Sequence, residues 1–211
     1  MYRYIKRLTD IIVSLIVLIV MSIPMLIIAL LIWSEDKGSP IFKQDRMGRN
    51  LVPFKMYKFR SMKQNRTELD GKMTHDQMVT KVGKFIRKTS LDELPQLFNV
   101  LKGEMSLIGP RPWILQYYTW MTPVQKRRVS VRPGITGLAQ VRGRNGIDVY
   151  RKIEYDLEYV NHFGLKYDLK ILFESIKVVF TKQDAEITET GISGELEQLK
   201  ESPKRKKKIK A

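Results

Sequence analysis

Asp92 and Glu93 stand side by side in Ser90-Leu91-Asp92-Glu93-Leu94-Pro95, and Lys58, Arg87 and Arg111 are the cations best suited to work with them. A carboxylate can attack phosphorus to give an acyl phosphate. It needs positive charge around it, because nucleophile and phosphoryl group are both anionic. Arginine meets phosphate oxygens in a bidentate fashion, and Arg111 is held between Pro110 and Pro112. Arg132 and Arg144 bracket a glycine-rich basic stretch and extend the set of candidate phosphate ligands. Gly134, Gly137 and Gly143 in that stretch permit close backbone approach to a ligand, yet match neither a P-loop nor a dinucleotide fingerprint.

A structural account competes with this one. Ser90 followed three residues later by Glu93 fits a helix capping box, and acids in a first turn suit the helix dipole. Pro95 spoils the fit, since with Ser90 as cap it lies beyond the first turn and loses a hydrogen bond. Each cation taken singly is equally compatible with an ordinary exposed surface. On the residues alone, both accounts stand.

Composition narrows the chemistry. The chain has no cysteine, so disulfides and thiolate metal sites are excluded, and its two histidines, His75 and His162, have no ligand-like spacing. A formal net charge of +16 over 211 residues points to phosphate as a partner, in nucleic acid, anionic lipid or a phosphorylated substrate. Lys204, Arg205, Lys206, Lys207, Lys208 and Lys210 concentrate part of that charge at the end of the chain. Such a tail is equally readable as an anionic-lipid contact or a solvated solubility tail.

The N-terminus chooses among phosphates. From Ile11 to Trp33 the chain is almost wholly apolar, interrupted by Ser14, Ser22 and Pro24. That run makes roughly 35 Å of helix, enough for a bilayer core of ~30 Å. It is too long for a signal-peptide core and no A-x-A site follows. Basic residues flank both ends: Arg3, Lys6 and Arg7 before, and Lys37, Lys43, Arg46 and Arg49 after. Positive flanks mark the cytoplasmic side, so a straight span would carry one of them across. Pro24 cannot donate to the Val20 carbonyl and clashes with it, which predicts a kink near the midpoint. The Ser22 hydroxyl is near enough in sequence to help satisfy that carbonyl. The expectation is a re-entrant helix broken near Pro24, with an ordinary kinked span as the alternative.

The rest of the chain must position the acidic pair. Pro53 to Arg60 alternates apolar and basic residues and predicts a half-buried strand carrying Lys58. Leu94, Leu97, Phe98 and Leu101 recur at helical spacing, with Gly103 as the stop. Gly109-Pro110-Arg111-Pro112 is neither helix nor strand, and 113–128 reads as helical with a break near Pro123. Ile153, Leu157 and Val160 mark one closing helix; Leu169, Leu172, Phe173, Ile176 and Phe180 mark another. The fold class expected is α+β and predominantly helical: an anchor at 1–36, a small membrane-associated catalytic domain at 37–180, and a lysine-rich tail without stable structure at 181–211.

Four segments carry a resemblance: 58–62 (Lys-Phe-Arg-Ser-Met), 90–106 (Ser-Leu-Asp-Glu-Leu-Pro-Gln through Lys-Gly-Glu-Met-Ser), 109–112 (Gly-Pro-Arg-Pro) and 132–145. Together they resemble the bacterial sugar transferases, the monotopic phosphoglycosyl transferases of glycoconjugate assembly, over about Arg3 to Phe180. The resemblance implies a reaction in which a UDP-sugar and polyprenyl (undecaprenyl) phosphate give polyprenyl-diphosphate-sugar and UMP with Mg²⁺. It implies that Asp92 is the nucleophile of a covalent phosphosugar intermediate and that Glu93 assists and meets the metal. Lys58, Arg87, Arg111 and Asp168 match further functional positions, Asp168 beside Glu93 on the metal side. The implied setting is the cytoplasmic face of the bacterial inner membrane, in capsule or exopolysaccharide initiation, with anionic lipids as partners, room for a homodimer and no nucleic acid. One departure is that the family's adjacent Ser-Pro break is Ser22-Ile23-Pro24 here, turning the serine by ~100°. The competing class is a non-enzymatic, membrane-anchored basic protein that binds anionic lipid or nucleic acid.

Overall fold

The apolar run folds as two helices, α1 (Tyr2–Val20) and α2 (Ser22–Asp36), bent by 63° at Met21 in the computed structural model. That model describes residues 1–63, 75–143, 146–180 and 194–200. The break lies just upstream of Pro24, where its ring would meet the Val20 carbonyl. Ser22 Oγ donates to the Ile19 carbonyl at 2.8 Å, one residue earlier than the carbonyl the sequence suggested. No single described helix is long and apolar enough to cross a membrane, whereas the bent pair together is.

The remaining elements follow in order: β1 (Ile41–Met47), β2 (Pro53–Phe59), α3 (His75–Met78), α4 (Lys81–Lys88), α5 (Gln96–Lys102), β3 (Ser106–Ile108), α6 (Tyr117–Trp120), α7 (Pro123–Lys126), β4 (Gly134–Thr136), α8 (Leu138–Gly143), α9 (Val149–Asn161), α10 (Leu165–Phe180) and α11 (194–200). The chain is thus predominantly helical with two small sheets among the described residues, β1 beside β2 and β3 parallel to β4. The helical stretch foreseen over 113–128 is broken before Pro123 as expected, but its α-helical parts are only two four-residue pieces, the second starting at Pro123 and capped by Thr122 and Gln125.

The chain divides into two units. The carboxylate unit comprises Arg7–Gln44 and Lys55–Gly103. Its core joins Ile28 and Ile32 of α2 to Phe59 of β2 and Ile86 of α4. The second half of the apolar run therefore packs into the core of the unit that carries Asp92. Asp10 and Ser14 of α1, one turn apart, are buried, while Ile12, Leu15, Ile16 and Ile19 are exposed. Polar side chains turn inward and apolar ones outward, the reverse of a helix on a water-soluble core.

The arginine unit comprises Met1–Lys6, Asp45–Phe54 and Glu104–Ala211. One cluster gathers Ile108, Val131, Leu138, Tyr159 and Ile171; another gathers Trp113, Tyr117, Tyr118, Met121, Val149, Ile153 and Leu199. The apolar stripe of α10 faces outward, with Leu169, Leu172, Phe173 and Ile176 all exposed, and Ile171 is the residue that reaches the core. Residues 194–200, expected in a tail without stable structure, form α11 with Leu199 fully buried, because one leucine per turn suffices when a groove receives it. The rest of the tail, including the lysine run, lies outside the described residues.

Candidate active site

The acidic pair sits in a 3₁₀ turn, Leu91–Glu93, between α4 and α5. Both flanking helices are fixed at their ends. Thr80 caps α4 by accepting from the Gly83 N–H, and Glu35 Oε1 accepts from the Lys81 and Val82 N–H groups at 3.0 and 3.3 Å. At the far end of α5, Gly103 is left-handed (φ 85°) and Arg7 donates to the Val100 and Leu101 carbonyls at 2.6 and 2.9 Å. These bonds satisfy carbonyls that a helix end leaves open.

Ser90 bears on the capping account. It is left-handed (φ 57°) and its side chain makes no capping bond, so there is no capping box. Pro95 occupies the N-cap of α5, where a missing N–H costs nothing, and the helix starts only at Gln96. The Asp92 and Glu93 side chains are 13% and 18% exposed. Lys58 Nζ, projecting from β2, lies 2.7 Å from Glu93 Oε1 and 3.7 Å from Asp92 Oδ2. One ammonium thus serves both acids and grips Glu93 more tightly. Arg87, in the last turn of α4, donates from Nε to Ser61 Oγ at 2.8 Å.

Asn99 was not singled out from the sequence, yet it holds this frame. Fully buried on α5, it accepts from the Tyr57 N–H at 3.0 Å and donates to the Lys55 carbonyl at 2.8 Å, clamping α5 to the strand that carries Lys58. Leu97 and Val100 flank it in the same apolar stretch, and nothing in local spacing marks an amide there as a bridge.

The arginine unit assembles cations. Arg111 lies in the irregular 109–112 segment, and Arg46 Nη1 sits 3.5 Å from the Pro112 carbonyl. Burial and then the neighbouring Arg111 charge lower the Arg46 guanidinium to about 10. Burial, Arg3 and Arg132 lower Arg49 in the same way. Cations that raise one another's energy form a surface that an anion would relieve. Arg46 and Arg49 entered the sequence reading only as part of the basic flank after the apolar run. Beneath them Arg128, fully buried, donates to Asp156 Oδ2, to Tyr118 Oη at 2.6 Å and to the Arg111 carbonyl at 2.7 Å. Arg144 lies outside the described residues.

The glycines and Asp168 have duties other than those expected. A Cβ at Gly134 would stand 2.1 Å from the Gly109 nitrogen, so that glycine admits the neighbouring chain of the β3–β4 pair rather than a ligand. Asp168 is buried and accepts from Lys6 Nζ at 2.6 Å, from Tyr159 at 2.8 Å and from Tyr2, which ties the start of α1 to α10. Its oxygens are thus engaged by an ammonium and two phenols. Asp92 and Glu93, adjacent carboxylates in one turn, offer the kind of hard oxygen donor from which Mg²⁺ takes one or two ligands, completing its shell with water and substrate phosphate. Among the described residues no three His, Cys, Asp or Glu side chains gather as a group that could hold a metal ion.

The family profile described as bacterial sugar transferase matches residues 1–182. The chain is 44% identical over 190 residues to a UDP-glucose:undecaprenyl-phosphate glucose-1-phosphate transferase of Klebsiella pneumoniae, covering 85% of this chain and 41% of that one. It is 40% identical over 200 residues to an undecaprenyl-phosphate galactose phosphotransferase of Salmonella typhimurium (87% and 42%). It is also 45% identical over 152 residues to an uncharacterized sugar transferase, EpsL, of Bacillus subtilis (72% and 75%). The chain spans about two fifths of the length of the first two of these relatives and most of the third. With a profile covering nearly all of the packed chain and an acidic pair held by Lys58 within it, this protein belongs to the bacterial sugar transferase family.

Proposed function

We propose that the chain transfers a sugar-1-phosphate from a UDP-sugar to undecaprenyl phosphate, releasing UMP, at the cytoplasmic face of the bacterial membrane. The observation that carries this reading is the Lys58 ammonium held against both Asp92 and Glu93 in a constrained turn. An Asp92 oxygen attacks the sugar-bearing phosphorus, and the bond from that phosphorus to the UMP oxygen breaks. The acyl phosphate then passes its phosphosugar to an oxygen of undecaprenyl phosphate, which restores the carboxylate. Lys58 lowers the repulsion between Asp92 and the incoming phosphate, and Glu93, gripped by Lys58, holds that ammonium in place. Mg²⁺, held by Glu93 with Asp92, would neutralise the diphosphate and the departing UMP. Arg111 and its arginine neighbours supply further charge for phosphate oxygens.

The membrane setting rests on three observations: basic flanks on both sides of the apolar run, a 63° bend within it, and outward-facing apolar residues on α1, α2 and α10. Together they support a re-entrant, monotopic anchor. Single cysteines placed before Ile11 and after Trp33 should be labelled from the same side; labelling from opposite sides would remove the anchor from this reading.

The chemistry is tested with purified protein, Mg²⁺, undecaprenyl phosphate and a panel of UDP-sugars. UMP release is expected with at least one sugar, together with an intact-mass adduct of one phosphosugar. Asp92→Asn should abolish both. Turnover retained by that variant would strip Asp92 of its role, and silence of the parent protein across the panel would overturn the reaction.

A further inference from the structure

The family profile ends at residue 182, yet α11 packs on the arginine unit beyond it. A helix of seven residues is not stable alone, so its groove must hold it. Leu199 is fully buried against an aromatic layer that includes Trp113, Tyr117 and Tyr118. Polar contacts set the register. Tyr117 donates to Glu195 Oε2 at 2.5 Å, Lys152 Nζ stands 2.5 Å from Glu195 Oε1, and Tyr150 donates to the Gln198 carbonyl at 2.6 Å. Lys200 lies over the Trp120 ring at 5.7 Å. Burial and then the bond to Glu195 push the Tyr117 phenol above its usual range, so it stays a donor at any working pH.

The layer under α11 is also the layer behind Arg111. The Tyr117 ring lies 4.9 Å from the Trp113 ring, and the Arg128 guanidinium stacks on Trp113 at 4.0 Å. Arg128 donates to the Arg111 carbonyl at 2.7 Å and is fixed from behind by Asp156 and Tyr118. From Glu195 to Arg111 each step is a direct contact within one unit. The aromatic segment that provides it (113–121) holds only one turn of regular helix, so it has little rigidity of its own.

We propose that α11 is a built-in clasp that positions Arg111, with Glu195 and Leu199 as its positioning residues. The clasp deepens the transfer reaction proposed above and rests on it for the role of Arg111. Its expected signature is a change in how the diphosphate of the UDP-sugar is held rather than in the chemical step at Asp92.

The test compares the full chain with Leu199→Ala, Glu195→Ala, a truncation after Ser193 and a truncation after Lys200. The last keeps α11 and removes the lysine run. UMP release gives kcat and KM for the UDP-sugar, and hydrogen exchange follows the amides of 111–129. Loss of the clasp should raise KM about tenfold with kcat changed less than about twofold, and should speed exchange across 111–129. The truncation after Lys200 should match the full chain, and a peptide of residues 190–203 added to the shorter truncation should restore KM. An unchanged KM with α11 gone, or kcat falling in step with the folded fraction, would overturn the clasp. So would the same defect in the truncation after Lys200, which would assign the effect to tail charge. If the shorter truncation does not fold, Tyr117→Phe and Glu195→Ala in the full chain decide: their effects on KM should be less than additive, and additive effects reject the coupling. If the parent releases no UMP with any sugar, the reaction fails, and exchange alone judges the clasp: protection of 111–129 indifferent to Leu199→Ala refutes it.

Discussion

Replacing Asn99 by leucine tests whether the acidic pair and its lysine are held by one clamp. The two side chains share heavy-atom number and branching, so the substitution leaves no cavity and chiefly removes two hydrogen bonds, with some added crowding from the larger leucine. It strips the Tyr57 N–H and the Lys55 carbonyl of their partners at 3.0 and 2.8 Å. A buried backbone group left unpaired costs about 1–3 kcal/mol. Tyr57 is half-buried, and a carbonyl with two lone pairs tolerates the loss of one partner better than an N–H does. The expected loss is therefore about 2–3 kcal/mol rather than twice the upper limit. Denaturant unfolding in detergent micelles, followed by circular dichroism, measures it, with hydrogen exchange at the Tyr57 amide as the local readout. Because β2 also carries Lys58, UMP release should fall by more than the unfolded fraction accounts for. A stability change below about 0.5 kcal/mol, or unaltered exchange at Tyr57, would refute the clamp.

Three further outcomes are expected. Lys58→Met, which keeps length and removes charge, should cut UMP release about a hundredfold while the fold persists; turnover within a few-fold of the parent would detach Lys58 from the chemistry. Gly83→Ala would put a Cβ 2.1 Å from the Ser61 carbonyl oxygen, pushing α4 off the chain that receives Arg87. It should destabilise the protein by about 3 kcal/mol, and an unchanged melting midpoint would contradict that packing. Burial alone would raise the Glu158 carboxyl, but the Tyr167 hydroxyl and Arg142, at 3.0 Å, pull it below its usual range. A folded carboxyl lowered in this way contributes stability above its unfolded value and loses it as pH falls through the folded one. Glu158→Gln should therefore be less stable than the parent at pH 7, by at most about 1 kcal/mol because the pair is a third exposed, and match it in acid. A gap that persists in acid denaturation would rule out this linkage.

What could be read from the sequence was what the chain does locally. Pro24 announced the break, and it falls at Met21 because the clash acts on the preceding turn. The alternation of 53–60 announced β2, and the periodicities near Ile153 and Leu169 announced α9 and α10. Periodicity marks an apolar face but not what covers it. The α10 stripe was therefore indistinguishable from a core face, and Leu199, in a polar stretch, gave no pattern at all. Partners distant in sequence were also hidden: Asn99 answers to Tyr57, Arg128 to Asp156, and Asp168 to Lys6. An Asp or Asn looks the same in a sequence whether it binds a metal or ties two helices together.

The turn itself shows why local rules left the acidic pair undecided. A serine in left-handed conformation costs roughly 1 kcal/mol relative to its ordinary state, and it endures only where the surroundings over-determine it. Here they do. Glu35 and Thr80 fix α4 on one side, Arg7 and Asn99 fix α5 on the other, and seven residues join the two helices. Had Ser90 capped a helix, Asp92 and Glu93 would have been neutralised by backbone N–H groups of their own first turn. By turning left-handed it gives up that cap and opens a 3₁₀ turn in which Lys58, a residue from another strand, becomes the ammonium shared by both acids. A charge partner that comes from elsewhere can be shared with an incoming phosphate, whereas a helix's own N–H groups are fixed to the chain that carries the acids. The strain at Ser90 is thus located where it separates a carboxylate pair capping its own helix from one held by an ammonium of another strand.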